Sequence, residues 1–236
     1  MRNQMSKKLE ELVKFADEAD RKGWNKLGDF LDKEITKEAK KGYHKCGLKE
    51  ETVQQHTELY DAYKKANSSF SKKHKRLFNG TDNKDSPNMG ELREIAKGLS
   101  HNGNAEFLHE LYFTDAYESK PYATTKNANI DKLFKAAYDG KWKDLDGDLK
   151  RMANVSRNGW VVLSYCFKEK KLYLDAFDLH EIGASIHSVP VLALDMWEHA
   201  YYTDFGLDKE AYVDWFLGRV DWRKVAKRLK NYQRVN

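Results

Sequence analysis

The run Trp160 to Phe177, WVVLSYCFKEKKLYLDAF, decides the fold class. Two stretches rich in Val, Leu and Tyr flank the charged Lys168-Glu169-Lys170-Lys171, and this pattern predicts a β-hairpin with strands over Trp160 to Phe167 and Leu172 to Phe177. A third apolar run, Val189 to Leu194, ends at Asp195 and predicts one more strand. Everything else with a clear period is helical.

Upstream, Ile130 to Tyr138 and about Leu145 to Val155 read as amphipathic helices, preceded by a polar linker from Tyr117 to Asn129 that contains Pro121. Met89 to Ala116 reads as helical with a break at His101 to Asn104, and His109 sits among Leu108, Leu111, Tyr112 and Phe113. Glu50 to about Asn67 places Val53, His56, Tyr60 and Tyr63 on one helical face. From Ser6 to about Lys41, two leucine-rich stripes turn at Gly23-Trp24 and predict a charged helical hairpin. Downstream, helix returns after Glu210, most clearly from Trp222 to Tyr232. The expected architecture is α+β: an N-terminal helical hairpin domain, then a C-terminal domain with a three-stranded antiparallel sheet flanked by helices. Its expected parts are a helical extension (1–41), a helical hairpin domain (42–120) and an α/β domain (121–236).

Composition narrows the function. The 236 residues are 33% charged and 40% hydrophobic, with formal net charge +5, and no apolar run reaches the roughly 20 residues of a membrane span. Mean hydropathy is −0.84. Behind the basic residues of Met1 to Lys8 there is no apolar segment with a cleavage site, so the expected location is cytoplasmic. Cys46 and Cys166 are too few for a disulfide framework or thiolate cage and are read as reduced. The modest excess of positive charge suits an anionic substrate.

The densest chemical signal is Asp195-Met196-Trp197-Glu198-His199-Ala200-Tyr201-Tyr202. A carboxylate ends a strand and an imidazole follows four residues later, so both can meet one metal ion. Imidazole nitrogens with one hard carboxylate suit a redox-active first-row metal, whereas thiolates favour softer ions. Taken alone, the pair reads more readily as Asp195 capping a turn and His199 pairing with Glu198.

That stretch resembles the signature of iron/manganese superoxide dismutases, Asp-x-Trp-Glu-His-Ala-Tyr followed by an aromatic residue, at every specified position. Asn158-Gly159-Trp160 followed by Val161-Val162-Leu163 resembles the family's entry into its first strand, and Val220-Asp221-Trp222 its Val-Asn-Trp near the C-terminus; the resemblance spans about residues 42 to 236. It implies one iron or manganese ion per subunit, held by His56, His109, Asp195 and His199. It also implies dismutation of superoxide to oxygen and hydrogen peroxide as the metal alternates between trivalent and divalent states. One proton taken up with each electron leaves the buried charge unchanged, which avoids the cost of a net charge change at low dielectric.

The same resemblance gives Tyr63 the place of the gating tyrosine, one residue closer to the first ligand than in the commonest form, and Tyr60 the place where many members carry another histidine. Around the second ligand, Leu108 and Tyr112-Phe113 replace the commonest Asn and Phe-Trp. The glutamine that many members place four residues before the second ligand is Ala105 here. His180 stands at the alternative position after the second strand, as the expected partner of metal-bound solvent. Trp160 and Trp197 form the expected apolar wall. Glu198 and Tyr202 are expected at a two-fold interface, giving a homodimer or homotetramer.

Two other functions compete. One is a metal-binding relative with little dismutase activity, motivated by Ala105. The other is a nucleic-acid binder built on the basic run Lys64 to Arg76 with Phe70 and Phe78 interleaved, which a net charge of only +5 disfavours. His44, His74, His101 and His187 are expected on solvated surfaces.

Overall fold

The computed structural model describes residues 44–78, 89–117, 128–138, 144–156 and 158–234. The chain divides into a unit of residues 1–43 and a compact unit of residues 44–236. The helical hairpin expected before residue 42 lies outside the described residues, as does most of the linker expected between Tyr117 and Asn129.

Within the second unit the elements run α1 (Glu50–Phe78), α2 (Met89–Ala116), α3 (Ala128–Ala137), α4 (Leu145–Val155), β1 (Trp160–Cys166), β2 (Lys171–Phe177), β3 (Ser188–Asp195), α5 (Glu198–Phe205), α6 (Lys209–Leu217) and α7 (Trp222–Arg234). The strands form one antiparallel sheet in the order β2-β1-β3. β1 is buried along its whole length, which is why its sequence is a near-continuous apolar run rather than an alternating one. Register places Trp160 opposite both Phe177 and Asp195. One end of the sheet therefore gathers the start of β1 and the ends of β2 and β3. A bulge between Leu163 and Ser164 shifts the pairing with β3 near Pro190, which has no N–H to give to a ladder.

Gly159 makes that end possible. Its φ is +108°, and a Cβ there would lie 1.8 Å from the Phe177 carbonyl oxygen, so only glycine fits. Its own carbonyl accepts the Met196 N–H at 2.8 Å, tying the entry of β1 to the exit of β3.

α1 and α2 pack antiparallel, with pairs descending from Phe70 against Gly98, through Asn67 against Glu106, to His56 against Phe113 and Tyr117. The break expected at His101 to Asn104 is absent: α2 is continuous. Asn and Gly are weak helix formers, but Gly98 gives Phe70 its space and Gly103 faces Asn67, so packing against α1 overrides the local preference. α2 is then fixed to α7 by a bidentate ion pair, Arg228 to Asp115 at 2.6 and 2.8 Å, with Arg228 also donating to the Val191 carbonyl of β3 at 2.6 Å. Asp204, in α5, accepts the Lys49 N–H at 2.9 Å and the Thr52 hydroxyl at 2.6 Å, which anchors the start of α1.

Candidate metal centre

Four elements meet at the Trp160–Asp195 end of the sheet. α1 brings His56, α2 brings His109, β3 ends on Asp195, and the first turn of α5 brings His199. One side-chain donor from each lies within 4.8 Å of the others. Asp195 Oδ2 is the hub, 3.1 Å from His56 Nε2, 3.4 Å from His199 Nε2 and 3.7 Å from His109 Nε2. Its other oxygen accepts the Trp197 N–H at 2.8 Å, which fixes the carboxylate plane as the chain turns into α5. The turn-capping role open to Asp195 from the sequence thus coexists with its place in the cluster.

The imidazoles are oriented from behind. His109 Nδ1 donates to the Ala105 carbonyl one helical turn back at 2.7 Å, leaving the Nε2 lone pair aimed at the centre. His56 Nδ1 lies 3.0 Å from the Tyr117 hydroxyl. Burial lowers the pKa of His56 and takes that of His109 down to about 3, so both are neutral near pH 7. Burial opposes ionisation of Asp195, but His199 and His56 beside it hold its carboxyl well below the usual carboxylate range. For His199 the opposing effect of burial is outweighed by Asp195, and its pKa is raised.

A buried carboxylate faced by the neutral imidazoles of His56 and His109 is a lining that a cation fits. His109 Nε2 and His199 Nε2 are buried without a hydrogen-bond partner among the described residues. An ion bonded at about 2.1 Å to such donors sets them up to roughly 4 Å apart, close to the separations seen. Three nitrogens and one carboxylate oxygen fit a first-row transition metal.

Around this cluster, Tyr63 and His180 lie together. Trp160 Nε1 donates to His180 Nδ1 at 3.0 Å, and His180 Nε2 lies 3.0 Å from the Tyr63 hydroxyl. An indole N–H can only donate, so Nδ1 is the acceptor and the ring hydrogen is on Nε2, donated to the Tyr63 oxygen. Tyr63's own hydrogen remains free to turn toward the site. Burial and the nearby His101 lower the His180 pKa to about 4. Trp160 is fully buried and meets His109 edge-on at 4.9 Å between centroids. Trp197 stacks at 6.4 Å and 10° on His199, and Tyr60 at 6.0 Å and 13° on His109.

His101 departs from the expected solvated surface. It belongs to α2, pairs through Nδ1 with Glu181 at 2.9 Å, and lies 4.8 Å from the His180 ring. Nothing in the local sequence pairs residues so far apart. Tyr117 and Tyr212 were likewise not legible as parts of the site.

Residues 126–228 match the family described as iron/manganese superoxide dismutases, C-terminal domain. A superoxide dismutase [Mn] of Haloarcula marismortui is 31% identical over 148 residues, 62% of this chain and 70% of the relative. The chain belongs to the iron/manganese superoxide dismutase family. A superoxide dismutase [Mn] 1 of Halobacterium salinarum is 33% identical over 135 residues, 56% of this chain and 64% of that protein. A superoxide dismutase [Fe] of Pyrobaculum aerophilum is 27% identical over 141 residues, 59% of this chain and 66% of that protein. Both metal names thus occur among the family members that this chain is similar to.

Proposed function

We infer that this chain is a superoxide dismutase, taking two superoxide anions and two protons to one oxygen and one hydrogen peroxide. The observation that carries the reading is the convergence of His56, His109, Asp195 and His199, from four separate elements, in a chain of this family. We read these four as the ligands of one iron or manganese ion. When bound, that ion supplies the one-electron acceptor and donor for the two half-reactions.

The protein's own residues do the rest. Trp160, Trp197, Tyr60 and Phe113 exclude bulk water, which strengthens each electrostatic contact inside. His180, held by Trp160, offers its Nε2–H to Tyr63, so the Tyr63 hydroxyl is left to donate to a small anion and to deliver a proton as peroxide leaves. His180 supports this chain where Ala105 offers no side-chain amide.

The two ligands before residue 120 and the two after it fit a division into a 42–120 helical hairpin domain and a 121–236 α/β domain. We place Glu198 and Tyr202 at a two-fold interface, since Tyr202 is exposed beside the half-buried His199. No described helix is long and apolar enough to cross a membrane. Cys46 and Cys166 are buried free thiols, consistent with the cytoplasmic setting we propose. The test is superoxide decay measured by stopped flow for the metal-loaded chain and for Asp195→Ala. Decay catalysed by the first and lost together with bound metal in the second is expected; equal decay in both contradicts the assignment.

A further inference from the structure

Between β2 and β3 the chain makes a loop, residues 178–187. His180 dips from it into the body at 2% exposure, while Ile182 and Ile186 of the same loop stand out in solvent. The backbone folds back on itself, the Asp178 N–H donating to the Ile182 carbonyl at 3.1 Å. Gly183 takes φ +104°, where a Cβ would lie 2.6 Å from the Ala176 carbonyl oxygen. These contacts shape the loop against β2 but do not hold it on α2. A cavity of about 210 Å³ lies between them, bordered by Asn104 and Phe107 of α2 and by Ala184 and Ser185 of the loop, with His180 in its wall. On that side the imidazole has room to move.

Across that space the loop is tied to α2 by Glu181. Its half-buried carboxylate accepts a hydrogen bond from His101 Nδ1 at 2.9 Å. The His101 ring in turn meets the His180 ring edge-on at 4.8 Å and the Tyr63 ring at 6.0 Å between centroids. His101 thus touches both members of the Tyr63–His180 hydrogen bond and is held by the residue next to His180. Among the described residues, neither His101 nor Glu181 contacts a ligand residue.

We propose that His101 and Glu181 form a latch that holds the loop on α2 and so keeps His180 hydrogen-bonded to Tyr63, both being positioning residues for proton delivery at the centre. The inference rests on the dismutase reading of that centre. Released from α2, the loop shifts into the cavity, His180 Nδ1 leaves the Trp160 indole, and Nε2 leaves the Tyr63 oxygen. The Tyr63 hydrogen then has no fixed direction. A misplacement of about 1 Å in such a group can cost on the order of a hundredfold in rate.

The test uses Glu181→Ala, His101→Phe, the double variant and Glu181→Gln, each in the full chain. His101→Phe keeps a ring against His180 and Tyr63 but has no N–H to give; Glu181→Gln keeps an oxygen that accepts from Nδ1. One readout is the Trp160 indole N–H, which donates to His180 Nδ1 at 3.0 Å, followed by NMR in the metal-free chain. The other is kcat and kcat/KM for superoxide in the metal-loaded chain. In Glu181→Ala and in His101→Phe the indole signal is expected to move toward that of a water-exposed indole and its hydrogen to exchange about tenfold faster, the effect of one lost hydrogen bond on local opening. In the same variants kcat falls about tenfold, at the low end of the roughly 10–100-fold that outer partners of a metal site contribute, while kcat/KM, set by encounter, is retained. The double variant is no worse than either single one, as two halves of one contact require, and Glu181→Gln restores both readouts. Glu94→Ala, which breaks the exposed Lys97–Glu94 pair on the same helix, leaves both unchanged. Parent-like values of either readout in both Glu181→Ala and His101→Phe overturn the proposal. If the loaded parent chain itself does not dismute superoxide, the dismutase reading fails, and the indole comparison still decides whether the latch holds His180.

Discussion

At the scale of the residue, His180 is committed on both ring nitrogens, accepting from Trp160 and donating to Tyr63. Protonating it removes the acceptor that Trp160 needs. Burial, followed by His101, lowers its folded-state pKa from 6.5 to about 4, so between these values the unfolded chain binds the proton and the folded chain does not. The contribution to stability is complete above pH 6.5 and is lost as the pH falls from 6.5 to about 4. His109, lowered by burial to about 3, acts in the same direction. Thermal melts of the metal-free protein are therefore expected to drop on acidification across this window, and less steeply for His180→Gln, which has no ring to protonate. Equal slopes in the two proteins contradict this account of His180.

The four donor residues were legible in the sequence, though only through a pattern. Asp195 and His199 are close in sequence, but His56 and His109 are ordinary helical histidines until Trp197, Glu198 and Tyr201 identify the company they keep. Tyr117 and Tyr212 had no such company. They stand at no shared period, and only the fold brings Tyr117 to His56 Nδ1 and Tyr212 to the Asp195 carbonyl.

Among the elements, the tie that holds α2 to α7 and β3 is Asp115 with Arg228. Asp115 is fully buried and the Arg228 side chain is 17% exposed, so removing the cation leaves a carboxylate that water cannot reach. Arg228→Met is expected to destabilise the fold by about 3–5 kcal/mol, the range for a buried ion pair deprived of one partner. Activity per bound metal should be retained, since neither residue touches the centre. Urea denaturation together with metal-normalised rates checks both parts; a loss under about 1 kcal/mol, the value of a surface pair, contradicts the assignment. Strand identity was readable because β1 is apolar but for Ser164 and the charged Lys168 to Lys170 turn sets it off from β2. The continuity of α2 was not, because Gly98 and Gly103 look like breakers until Phe70 and Asn67 are set against them.

For the molecule as a whole, net charge +5 and an anionic substrate make encounter rate the property most sensitive to the medium. The Debye length shrinks from about 30 Å at 0.01 M salt to about 8 Å at 0.15 M, so dismutation by the metal-loaded protein is expected to slow over that range. A rate indifferent to salt contradicts electrostatic steering. The central claim is that one iron or manganese ion at His56, His109, Asp195 and His199 makes this chain a dismutase. Its most direct test is to strip the protein, reload it separately with iron and with manganese, and measure bound metal and superoxide decay on the same samples. About one ion per chain with catalysed decay for at least one metal is the predicted result; full occupancy without catalysis contradicts the claimed activity, and no binding contradicts the site itself.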